Sequence, residues 1–120
     1  PPFGSDIPVT DKQILEQFDL AYIWECTENG GFRKTERRKD AVSPEILFIE
    51  RCVQWLKQGG RMGIVLPDGI LGNPGDEYIR WWLMQECWVL GCVDLPVGSF
   101  IVEANVNILT SLLFLKTKTD

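Results

Sequence analysis

The sequence predicts an α/β fold, a mostly parallel sheet whose last strand is reversed. Three observations point to it. A helical segment opened by Ser43-Pro44 and closed by Gly59-Gly60 runs directly into the apolar stretch 62–66. A second helical segment, opened by Asn73-Pro74, runs into another apolar stretch, 88–95. A final apolar stretch, 106–116, follows residues 96–105, a connection too short for a parallel crossover and suited to an antiparallel return.

Taken in order, residues 1–8 read as an irregular loop, because three prolines and Gly4 break any period. Residues 10–24 carry helical spacing: Thr10 is the N-cap, and Ile14, Leu15, Phe18, Ala21 and Tyr22 share a face. Residues 25–42 read as a long, mobile, positively charged loop, since Asn29-Gly30-Gly31 interrupts the period and five of the seven residues 33–39 are basic. The segment 43–60 is better punctuated. Ser43 caps, Pro44 fits the first turn, and Gly59-Gly60 stop the helix in left-handed conformations, with Ile49, Cys52, Val53 and Leu56 on its buried face.

Residues 62–66 then form a buried strand and 67–72 a loop. The second helix starts from an Asn73 cap with Pro74 in its first turn, and Asp76 and Glu77 suit the positive end of its dipole. It runs to Glu86. A strand over 88–95, a loop over 96–105 and a last strand over 106–116 complete the chain, which ends in the polar residues 117–120.

Of the 120 residues, 45% are apolar and 24% charged, the profile of one compact globular domain with a real core. Seventeen acidic against 12 basic residues give a formal charge of -5, so attraction to nucleic acid has to be local and none is expected to a membrane. There is no histidine, which excludes Ser-His-Asp hydrolases, Cys-His proteases and most zinc enzymes. Cys26, Cys52, Cys87 and Cys92 form no C-x-x-C pair, so buried free thiols in a reduced, cytoplasmic protein are expected. No apolar stretch is long enough to span a bilayer. Trp55, Trp81, Trp82 and Trp88 are expected to pack. Asp68, at a strand's C-terminal end, suits cleft lining and helix capping or turn formation equally. The Gly-rich strand-to-helix turn and following acidic residue of a cofactor site are missing, so the chain reads as the C-terminal portion of a larger α/β domain.

Pro1-Pro2-Phe3-Gly4, the stretch Met62-Gly63-Ile64-Val65-Leu66-Pro67-Asp68-Gly69-Ile70-Leu71, Pro96-Val97-Gly98-Ser99-Phe100 and Thr110-Ser111-Leu112-Leu113-Phe114-Leu115 follow one another in order. Together they resemble the DNA methyltransferases that modify adenine N6, and more narrowly the modification subunit of type I restriction-modification systems. The family motif is Asn-Pro-Pro-Phe, of which the chain carries Pro-Pro-Phe. The resemblance covers nearly all 120 residues but only the C-terminal half of the family's Rossmann-like catalytic domain. It implies S-adenosylmethionine as cofactor of the whole protein, no metal, and DNA plus separate specificity and restriction subunits as partners. The 120 residues alone, without the cofactor-binding half, are expected to be inactive and prone to self-association through exposed sheet edges.

The resemblance also assigns roles. An adenine amine is a poor nucleophile because its lone pair is delocalised into the ring, and acceptors for its N–H protons localise that pair. Pro1 would offer its carbonyl as one acceptor, and Pro2 would stiffen the backbone that aims it. The target base has to leave the duplex, and Phe3 and Phe100 would stack on it. After Phe100, Ile101-Val102-Glu103 replaces the family's proline-containing stretch. Arg33, Lys34, Arg37, Arg38 and Lys39 suit DNA-phosphate contact and a solvated loop equally. Two alternatives stand beside adenine. One is another amino or amide nitrogen, in cytosine N4, RNA or protein glutamine. The other is an inactive module for assembly or DNA binding. Phe3 and the Leu-Pro-Asp-Gly loop favour adenine in DNA.

Overall fold

The computed structural model describes residues 7–96, 101–102, 106–107 and 109–119. The site assignments at Pro1, Pro2, Phe3 and Phe100 lie outside the described residues. The chain divides into two compact units, one ending at Trp55 and one beginning at Leu56.

In the first unit the expected helix over 10–24 is a single turn, α1 (Lys12–Leu15). Asp11, one residue beyond the expected cap, accepts from the backbone N–H of Gln13 at 2.9 Å and of Ile14 at 3.3 Å. The helix stops because a buried carboxylate claims the next backbone donors. Glu50 accepts from the N–H of Asp19 at 3.0 Å and of Leu20 at 2.7 Å, which fixes a 3-10 turn over Asp19–Ala21. Gln54 Nε2 completes the carboxylate at 2.8 Å. The aromatic and β-branched residues that follow then form β1 (Tyr22–Cys26).

The basic segment is not a loop. It is β2 (Phe32–Arg38), antiparallel to β1, with Cys26 opposite Phe32 and Glu25 opposite Arg33. The turn between them closes through Gly31 N–H to Thr27 Oγ1 at 3.1 Å and Gly30 at φ 82°. The cross-strand pair of Glu25 with Arg33, together with ion pairs from Lys34 to Asp19 and Arg38 to Glu16, explains why so polar a segment forms a strand. The helix α2 (Pro44–Trp55) follows expectation, with Ile46, Leu47, Ile49 and Val53 buried; Cys52 is only half-buried. Leu15, Phe18, Leu20 and Val42 are buried in the same unit, at about 1.5–3 kcal/mol for each large side chain removed from water.

The second unit holds β3 (Arg61–Pro67), α3 (Asp68–Gly72), α4 (Glu77–Glu86), β4 (Cys87–Asp94), β5 (Ile101–Val102), β6 (Val106–Asn107) and β7 (Thr110–Thr117). Of the expected left-handed pair only Gly59, at φ 72°, is left-handed; it lies in the turn before β3 and does not stop α2, which has already ended at Trp55, before the half-buried Leu56. The expected loop over 67–72 is helical. Pro74–Asp76 is a 3-10 turn, and Asn73 makes no side-chain cap. Two short strands, β5 and β6, pair inside the stretch expected as loop and first part of the last strand.

The sheet order is β3-β7-β4, and β7 runs antiparallel to both neighbours. The reversed last strand is therefore present, but a mostly parallel sheet is not: every strand pairing among the described residues is antiparallel. β3 and β4 still point the same way, joined by a helical crossover, because each opposes β7. Local periodicity reveals the crossover but not which strand is inserted between its ends. On one face Ile64, Leu66, Leu113 and Leu115 are buried; on the other Phe114 is exposed beside Gly63, where an added Cβ would lie 3.4 Å from its ring.

Two expectations of packing fail. Trp82 is buried and Trp81 half-buried, but Trp55 is 78% and Trp88 59% exposed, with Arg51 over the first ring and Lys118 over the second. Of the four free thiols only Cys87 is buried, and burial pushes it up from its ordinary value; Cys26, at the end of β1, and Cys92, on the edge strand β4, are exposed.

Candidate functional site

Strand direction gathers one set of polar groups. The C-terminal ends of β3 and β4 and the start of β7 meet at one end of the sheet, the end at which α/β proteins receive ligands. Backbone bonds join them: Asp68 N–H donates to the Leu109 carbonyl at 2.9 Å, and Leu95 N–H to the Thr110 carbonyl at 3.0 Å. Within this mouth the hydroxyl of Ser111 lies 2.8 Å from Asp68 Oδ1 and 2.9 Å from Asp94 Oδ1. Ser111 is 1% exposed, whereas Asp68 is half-buried and Asp94 exposed, so the hydroxyl is the buried centre of the cluster. The neighbouring Thr110 hydroxyl is buried with no hydrogen-bond partner among the described residues.

Asp68 thus makes no cap on α3; its carboxylate accepts from Ser111 instead. Sequence reasoning reached Asp68 but not Asp94 or Ser111. A signal for Asp94 was present in Val65-Leu66-Pro67-Asp68 and Val93-Asp94-Leu95-Pro96, two apolar runs that each close with an aspartate within two residues of a proline. Ser111 carried no signal of its own, because its role depends on β7 lying between those ends.

The basic residues occupy the hairpin of the first unit. Arg33 pairs with Glu25 across the strands. Lys34 Nζ lies 2.8 Å from Asp19 Oδ1 and 4.6 Å over the Tyr22 ring, and the bond to Asp19 holds its ammonium above the ordinary value. Arg38 pairs with Glu16 at 3.3 Å. The exposed Arg33 and Lys34 pairs contribute at most about 1 kcal/mol each, whereas the Arg38 side chain is half-buried. Arg37 is exposed, and the backbone of Lys39 donates to the Ala21 carbonyl at 2.8 Å.

Each unit also has an apolar cleft. One, of about 210 Å³, lies between α4 and β4 and includes Leu83, Met84, Val89 and Cys92; its Arg80 guanidinium is engaged by the carbonyls of Ile70 and Asn73, both at 2.9 Å. The other, of about 250 Å³, lies in the first unit between Ile14, Phe18 and Leu47. S-adenosylmethionine carries an ammonium, a carboxylate and ribose hydroxyls that require polar partners, so neither cleft fits it. Among the described residues no group of three metal-ligating side chains occurs, and no helix is long and apolar enough to cross a membrane.

Over 72 residues the chain is 32% identical to the type I restriction enzyme EcoKI methylase subunit of Escherichia coli (strain K12). It is equally similar to the StySJI methylase subunit of Salmonella typhimurium (strain LT2). These alignments cover 58% of this chain and 13% of each relative, so the chain spans a small part of the relatives' length. The N-6 DNA methylase family matches residues 16–120, which include the seven strands of the described residues in both units. With that span matched, the chain belongs to the N-6 DNA methylase family.

Proposed function

We propose that these 120 residues are the C-terminal portion of the catalytic domain of a longer DNA adenine-N6 methyltransferase, the modification subunit of a type I restriction-modification system. The observation that carries the reading is the family match over residues 16–120, with Pro1-Pro2-Phe3-Gly4 eleven residues ahead of it in sequence. The like-directed strands β3 and β4, joined by a helical crossover with reversed β7 between them, support a Rossmann-like origin. S-adenosylmethionine supplies the methyl group, held by parts of the longer protein outside this chain.

The chain's own residues prepare the acceptor. The Pro1 carbonyl takes a hydrogen bond from the adenine amine, so that the nitrogen lone pair is localised toward the methyl donor, and Pro2 limits the backbone torsions that aim it. Phe3 and Phe100 stack on the extruded base. The hairpin follows the DNA backbone: Arg37 contacts phosphate from an exposed position, Arg33, Lys34 and Arg38 join it as their ion pairs exchange, and Lys39 adds its charge at the end of the strand. Site choice belongs to a specificity subunit and cleavage to a restriction subunit.

The test is methylation by the full-length methylase with its specificity subunit, read by mass spectrometry of digested DNA. N6-methyladenine is expected, with Phe3→Ala and Phe100→Ala each slowing transfer about 5- to 100-fold, the worth of one stacked aromatic. Methyl on cytosine, or no transfer at all, overturns the reading.

A further inference from the structure

The mouth of the sheet is held by more than its backbone ladder. A serine hydroxyl carries one proton, so Ser111 donates to one carboxylate at a time. Yet its oxygen sits within hydrogen-bond distance of Asp68, at the end of β3, and of Asp94, at the end of β4. These two strands are not neighbours, since β7 separates them. Among the described residues, the Ser111 side chain on β7 is the one within hydrogen-bond distance of both ends, donating to either in turn. Ser111 is also the most buried of the three, so the donor end of the tie is screened from competing water while the Asp94 carboxylate stays exposed.

We propose that Ser111 is a positioning residue for methyl transfer: by joining Asp68 to Asp94 it fixes the spacing of the two strand ends that frame the place where the base is received. The inference rests on the methyltransferase reading above. DNA affinity comes mainly from phosphate contacts, which this cluster does not make. Loss of the tie therefore acts on alignment of the reacting base, where small displacements are costly in rate.

The experiment is first-turnover methylation by the full-length methylase mixed with an equal concentration of oligonucleotide duplex, both far above their Kd and with cofactor saturating, so that the amplitude counts active enzyme. Ser111→Ala is expected to lower the rate constant about tenfold, on the scale of one lost hydrogen bond, while the amplitude and DNA affinity stay within about twofold. A merely structural defect lowers the amplitude, through a smaller active fraction, and leaves the rate constant intact.

Asp94 is exposed, so its variants keep the test decisive even if Ser111→Ala does not fold. Asp94→Ala is expected to lower the rate constant. Asp94→Asn, whose amide can donate to Ser111 while Ser111 donates to Asp68, is expected to restore it to within about twofold. Loss of amplitude alone in a folded Ser111→Ala, or equal rate constants for Asp94→Ala and Asp94→Asn, overturns the proposal. Absence of adenine methylation by the unaltered protein instead overturns the functional reading on which it rests.

Discussion

The unit ending at Trp55 and the unit beginning at Leu56 are organised around opposite kinds of centre. In the first, a single buried carboxylate, Glu50 at 1% exposure, reaches from α2 to two backbone donors thirty residues earlier and decides where a helix ends and a hairpin begins. In the second, the centre is an apolar layer on β7, Leu113 and Leu115, flanked by Ile64 and Leu66 of β3, and polar groups collect only at the strand ends. A polar centre makes local structure depend on one distant partner. An apolar layer spreads the same dependence over many small contacts.

That contrast breaks most visibly at Glu50. Glu50→Ala strands the N–H groups of Asp19 and Leu20 and is expected to cost about 4 kcal/mol, at about 2 kcal/mol for each buried donor left unpaired. Urea denaturation measures the cost, and hydrogen exchange should show it first at Asp19 and Leu20. The same group gives a pH signature. Burial raises the Glu50 carboxyl above its ordinary value of 4.5, against the pull of its two backbone donors. The native state therefore holds that proton more tightly than the unfolded chain does. The contribution is full below pH 4.5 and is lost as pH rises through the raised native value. The stability difference between the natural chain and Glu50→Ala should shrink as pH rises above 4.5; a difference that grows would contradict the burial account.

Leu115→Ala, at a fully buried position of the central strand, is expected to cost about 3 kcal/mol through lost burial and the cavity left behind. Its exchange signature should centre on β3, β4 and β7, whereas that of Glu50→Ala centres on residues 19–26. Coincident signatures would show that the two centres are not separate. The smallest effect is expected at Gly59→Ala. Nothing crowds a Cβ there beyond Thr119 Cγ2 at 3.5 Å, so the loss of about 1 kcal/mol reflects only the left-handed backbone, and a shift in denaturation midpoint at constant slope would record it.

Where the sequence was legible follows the same division. Ser43-Pro44 located the start of α2, and the run 62–66 located β3, because a helix start and a buried strand are written in consecutive residues. The reading failed at residues 10–39. Ile14, Leu15, Phe18 and Ala21 do have helical spacing, but Glu50 takes the donors that would continue the helix, and Arg33, Lys34 and Arg38 find acidic partners that steady a strand. At the candidate site, Asp68 could be placed at a strand end from sequence, while Asp94 and Ser111 acquired meaning only together.

By itself the sequence determined the alternation of helix and strand from Ser43 onward, the reversal of the last strand and the family, since each of these is carried by residues close together in the chain or by motifs in fixed order. Only the tertiary structure decided that β7 lies between β3 and β4, that the basic segment is a paired strand, and that a serine joins two carboxylates across the sheet. The reason is physical. A long-range hydrogen bond or strand pairing is chosen by the free energy of both partners at once, and no window of sequence contains both.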